Sequence, residues 1–117
     1  MERADLETYL GSMQGADSSY PFGPDALVYK VRGKMFALVE QGQSSSVTLK
    51  CVPEDGELLV SQFVAVTPGY HMNKRHWLTI ALAGDVSDTM LEGLARDSYA
   101  LVVRGLPKAV RAELEGS

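Results

Sequence analysis

The chain has 117 residues, 45% of them hydrophobic, and a formal charge of −4 from 11 Lys and Arg against 15 Asp and Glu. That length and composition suit one domain, residues 1–117, able to bury its own core without covalent staples. The single cysteine, Cys51, excludes an intramolecular disulfide and a multi-cysteine zinc site. No apolar run nears the ~20 residues that span a bilayer, and the charged start "MERADLETYLGSM" lacks the apolar centre of a signal peptide, so the expectation is a cytoplasmic monomer.

The charge is unevenly spread. Residues 1–25 hold one Arg against five acids, residues 26–84 hold six Lys or Arg against four acids, and residues 85–117 hold four against six. A basic middle therefore lies between two acidic ends, although the total weighs against a polyanionic partner.

In chain order, Leu6, Leu10 and Met13 fall at helical spacing among Glu2, Asp5 and Glu7, which predicts an amphipathic helix stopped by Gly15. The stretch "GADSSYPFGPD" reads as a loop whose Tyr20 and Phe22 fold back onto the domain. Residues 27–40, "LVYKVRGKMFALVE", read as a hairpin turning at Arg32 and Gly33. A two-residue turn there pairs Val31 with Lys34, Tyr29 with Phe36 and Leu27 with Leu38. Leu27, Tyr29, Val31, Phe36 and Leu38 then face inward, and Lys30 and Arg32 face away. "SSSVTLKC" follows as a strand with Val47, Leu49 and Cys51 inward and Thr48 and Lys50 outward.

Pro53, Glu54 and Asp55 suit the first turn of a second helix, with Leu58, Leu59, Gln62 and Phe63 on its inward stripe. "VAVTPGY" extends to a turn at Pro68 and Gly69. The block "YHMNKRHW", residues 70–77, then enters a strand that alternates Leu78, Ile80 and Leu82 with Trp77, Thr79 and Ala81. Ser87 caps a long helix carrying a Glu92–Arg96 pair and ending at Gly105, and Pro107 opens a short last helix. The order predicts an α+β fold, a sheet with helices on one face.

Three blocks, "YPFGPDALVYKVRGKMFALV", "YHMNKRHW" and "LARDSYALVVRGLP", together resemble the MmcQ/YjbR family of small bacterial proteins, in order from about residue 20 to residue 107. The resemblance implies a CyaY-like (frataxin-like) fold, an antiparallel sheet backed by helices, and the family's usual label of DNA-binding protein. Carried over by position, the matching residues are Lys30, Gly33, Lys34, Phe36, His71, Asn73, Lys74, His76, Trp77 and Tyr99.

The chemistry of the 70–77 block can be read two ways. In one, Lys74 and Arg75 neutralise phosphate, His71, Asn73 and His76 add hydrogen bonds, and Lys30, Arg32, Lys34 and Lys50 extend the track across the sheet. In the other, Trp77 anchors the core, the histidines donate to backbone carbonyls, and the cations merely face water or discourage edge pairing. No carboxylate or thiol stands near His71 and His76 to complete a metal site, and Cys51 is expected to be an inert buried thiol. Neither a paired-carboxylate cleft nor a nucleotide-binding glycine loop is present, so no catalytic residue, metal or cofactor is assigned. The leading expectation is a non-enzymatic module that binds DNA through a contiguous basic patch. The alternative is a domain that takes a small anionic ligand or a protein partner with the same loop.

Overall fold

The structure is a computed structural model that describes residues 1–42, 45–69 and 73–116. Among these residues the chain forms α1 (Arg3–Gly11), β1 (Ala16–Ser19), β2 (Ala26–Val31), β3 (Lys34–Glu40), β4 (Ser46–Lys50), α2 (Pro53–Gln62), β5 (Val66–Pro68), β6 (Trp77–Ala81), α3 (Asp88–Arg104) and α4 (Lys108–Glu115). The strands pair antiparallel in the order β1-β2-β3-β4-β6-β5. One face of this sheet carries the core: Leu6 and Leu10 of α1, Leu91, Ala95 and Val102 of α3 and Leu114 of α4 close over Val31, Phe36, Val39, Val47, Leu49 and Ile80. The α+β class, with helices on one side of an antiparallel sheet, is as the element order predicts. No helix among the described residues is long and apolar enough to cross a membrane.

The β2–β3 turn forms where expected. Arg32 and Gly33 both have positive φ, 49° and 80°, the signature of a two-residue turn whose twist matches the flanking strands. Val31 pairs with Lys34 and Lys30 with Met35, but the register then slips, so that Tyr29 faces Ala37 and Leu27 faces Val39. Phe36 is the extra residue of this bulge, and both it and Ala37 are fully buried in the core. One inserted residue reverses the parity of everything beyond it. Leu38, expected inward, therefore pairs with Val28 and Thr48 on the face opposite the helices.

The bulge interrupts the β3–β4 ladder after Ala37 and Leu49. Ser98, wholly buried on α3, fills the gap: its hydroxyl donates to the Phe36 carbonyl and accepts the Lys50 N–H at 2.8 Å. Tyr99, the next residue, meets Phe36 edge-on with ring centroids 5.3 Å apart.

Other expectations are corrected. The segment read as a loop contains β1, because Ala16, Asp17, Ser18 and Ser19 pair with Val31, Lys30, Tyr29 and Val28 despite poor strand propensity. Tyr20 and Phe22 do not fold back; they are 52% and 74% exposed. On α2 the buried residues are Gly56 and Leu59, while Leu58 is 56% exposed. Arg96 donates to the Tyr9 hydroxyl at 3.0 Å rather than closing an ion pair with Glu92. Ser87 does cap α3, accepting the Met90 N–H.

Ser98→Ala deletes both bonds of the stitch and leaves a buried donor and a buried acceptor unpaired, a loss of about 2 kcal/mol or more in urea unfolding. A loss below about 0.5 kcal/mol, the range of ordinary surface substitutions, would contradict the structural role given to this hydroxyl.

Candidate nucleic-acid interface

Strand alternation puts three transverse rows on the open face of the sheet. The first runs through Asp17, Lys30, Met35, Lys50 and Trp77, the second through Ser19, Val28, Leu38, Thr48, Thr79 and Thr67, and the third through Ala26, Glu40, Ser46 and Ala81. Val28 and Leu38 are only 1% and 6% exposed, so the middle row is closed to a ligand. Thr48 and Thr79 share a hydrogen bond of 3.0 Å across it. The accessible chemistry lies at the first row and in the turn beside it.

Lys50 and Trp77 are direct cross-strand partners in that row, and the Lys50 ammonium sits 5.9 Å from the centroid of the indole. At that distance the ring's quadrupole attracts the cation. Trp77, expected as a core anchor, is half-buried on the open face. Leu78 and Ile80, its neighbours in the alternation, take the core instead. The backbone of Trp77 is held from β5, where the Gly69 N–H donates to its carbonyl at 2.7 Å. A Cβ on residue 69 would lie 2.7 Å from the Trp77 Cβ, so only glycine permits this approach. On the β4 side the Cys51 N–H donates to the His76 carbonyl at 2.8 Å, which carries the pairing one step past Lys50.

The turn before β6 explains the spacing of the motif. The Asn73 side-chain oxygen accepts the Arg75 N–H at 3.0 Å and its backbone carbonyl accepts the His76 N–H at 3.1 Å. This turn presents Lys74 and Arg75 at its exposed tip. Asn73 thus serves the turn with the oxygen that a base would otherwise meet, and His76 is half-buried. His71 and Tyr70 lie outside the described residues. Lys50, Lys74 and Arg75 have no ion-pair partner among the described residues.

The remaining predicted cations do not join this cluster as one continuous track. Arg32 lies at the far turn, 3.8 Å from the Glu113 carboxylate. Lys34 pairs with Val31 and so shares the core-side parity rather than that of Lys30. Lys30 stays on the open face but has Asp17 as its neighbour on β1. Both intruding acids come from the acidic ends: Asp17 because β1 joins the sheet, Glu113 because α4 docks Leu114 into the core. Ser98 is the residue that sequence reasoning missed. A serine in a helical stripe carries no signal of its own unless the β3 bulge is known.

Among the described residues no group of three His, Cys, Asp or Glu could hold a metal ion. Cys51 is half-buried against the core, and burial, with a smaller push from Asp55, raises its thiol above the ordinary value.

The YjbR family profile matches residues 11–101, which include the hairpin, the bulge and the whole 70–77 block. The chain belongs to the YjbR family. Its relatives include the uncharacterized protein YjbR of Escherichia coli K12, 35% identical over 112 residues that cover 95% of each chain. The uncharacterized protein YbdF of Escherichia coli O157:H7 is 38% identical over 90 residues, 76% of this chain and 74% of the relative. The crystal structure of Deinococcus radiodurans protein DR2400, of the DUF419 domain family, superposes with a TM-score of 0.87 at 36% identity, covering 96% of this chain and 86% of that one. A Pseudomonas syringae protein gives 0.77 at 27% identity, covering 86% and 98%. The YjbR fold is therefore shared along most of the chain, and the arrangement around Trp77 lies within the matched segment.

A raised thiol pKa means less thiolate at a given pH. Folded protein at pH 8 should alkylate with iodoacetamide more slowly at Cys51 than a free cysteine, and urea should abolish the difference. Equal rates before and after unfolding would contradict the burial assigned to this side chain.

Proposed function

We propose that this YjbR-family chain is a non-enzymatic binding module that contacts DNA at one end of the open sheet face. The observation that carries the reading is the Lys50 ammonium 5.9 Å from the centroid of the half-buried Trp77 indole, with Lys74 and Arg75 exposed in the turn that leads into that residue and none of the three cations ion-paired among the described residues. The cations neutralise phosphates and fix the register of the strand, and Lys30 lengthens the row on β2. His76 supports the turn through its backbone, while Asn73 shapes it. With Asp17 and Glu113 bordering the row, the contact is short, which reconciles local cation clustering with an acidic total.

A second reading has its own observation. A hollow of about 220 Å³ between α2 and the turn has apolar walls at Val60, Pro68 and Leu78, with Lys74 and Arg75 at its rim beside Glu57. That geometry suits a small anion with an apolar body, bound by the same two cations. Thermal-shift measurements with aliphatic and aromatic carboxylates, set against DNA, separate the two readings.

Binding of labelled DNA should weaken steeply with salt, log K falling against log salt by about 0.9 for each duplex phosphate neutralised, or about 0.7 on a single strand. Lys74→Ala and Arg75→Ala should each flatten that slope by about one phosphate's worth, and Lys34→Ala should leave it unchanged. Affinity independent of salt would overturn the reading.

A further inference from the structure

We infer that the DNA accepted by this face is single-stranded, with one base laid against the Trp77 indole and the adjoining phosphate held by Lys50. The inference rests on the DNA-contact reading above and narrows it.

Three observations converge on it. The Lys50 ammonium over the ring marks a face of the indole open to polar groups rather than closed by packing. A base presents the same ring with a π-face in place of the cation. The flexible lysine stem then lets the ammonium swing onto the phosphate of that nucleotide. Second, the backbone that carries the ring is fixed before binding, since Trp77 is bonded through its carbonyl to Gly69 and the chain just before it, at His76, to Cys51. Little backbone entropy remains to be lost at the stacking residue.

Third, the distribution of charge suits one backbone rather than two. Lys50 lies beside Trp77, and Lys74 and Arg75 occupy the turn just before it with Glu57 of α2 lining the adjacent hollow, whereas Asp17 neighbours Lys30 and Glu113 lies 3.8 Å from Arg32. A duplex brings two phosphate tracks and admits a protruding helix or ribbon into its major groove, roughly 12 Å wide. The centre of this face is closed by Val28 and Leu38 and offers no such element. A single unstacked strand needs only a stacking surface and a short line of cations.

Trp77 is the only tryptophan in the chain, so its emission reports the proposed contact directly. The full-length protein is titrated with a 15-nucleotide oligothymidylate and, separately, with a hairpin duplex containing the same number of phosphates. Oligothymidylate should quench the emission and bind more tightly than the duplex. Trp77→Ala should weaken oligothymidylate binding, read by anisotropy of a labelled strand, by about tenfold. The wild-type titration decides the matter even where the variant fails to fold. Duplex binding as tight as single-strand binding, with emission unchanged, overturns this inference and leaves the DNA-contact reading standing. Binding of neither oligonucleotide overturns both.

Discussion

A single buried hydroxyl holds the arrangement together. Where the bulge at Phe36 breaks the ladder between β3 and β4, one carbonyl and one N–H would be left without partners inside the protein, and Ser98 on α3 satisfies both. The cost of leaving such groups bare is large enough, about 1–3 kcal/mol each, that helix and sheet cannot shift relative to one another without paying it. Because the bonded N–H belongs to Lys50, the same interaction fixes where β4 ends and which way its last side chain points. The Lys50–Trp77 pair, and with it the basic end of the open face, follows from that constraint.

Charge at the surface is sorted by the fold rather than by the chain. The cations of the middle third separate into two groups: those at the β2–β3 turn, where Glu113 and Asp17 meet them, and those near Trp77, which no described acid pairs with. Most of the protein's carboxylates belong to α1, α2 and the two C-terminal helices, and among them Glu57 of α2 lines the same hollow as Lys74 and Arg75. At physiological ionic strength, exposed charges separated by more than about 8 Å are largely screened from one another. A net charge of −4 is thus compatible with a local cationic contact, provided that the contact is short.

Much of this was legible in the residues themselves. The Arg32-Gly33 turn, the Ser87 cap, the alternation of β6 and the position of residues 73–76 at a strand entry all arise from local chemistry, and each stands where the sequence places it. The misreadings share a cause, which is pairing between distant segments. Nothing in Ala16–Ser19 favours a strand except the exposed edge of β2. The bulge at Phe36 is invisible without Ser98, 62 residues away, and it moves Leu38 to the other face. The reading of Trp77 as a core anchor fails because the parity of Leu78 and Ile80 takes those two into the core and leaves Trp77 on the other face.

The central claim is that binding is confined to the Lys50–Trp77 end of the open face. Backbone amide chemical shifts followed by NMR while oligothymidylate is added to the wild-type protein test it most directly. The account predicts shifts clustered at Lys50, Cys51 and residues 73–79, with the Arg32–Gly33 turn and the helices unmoved. Perturbations centred on that turn, or on α3 and α4, would contradict it.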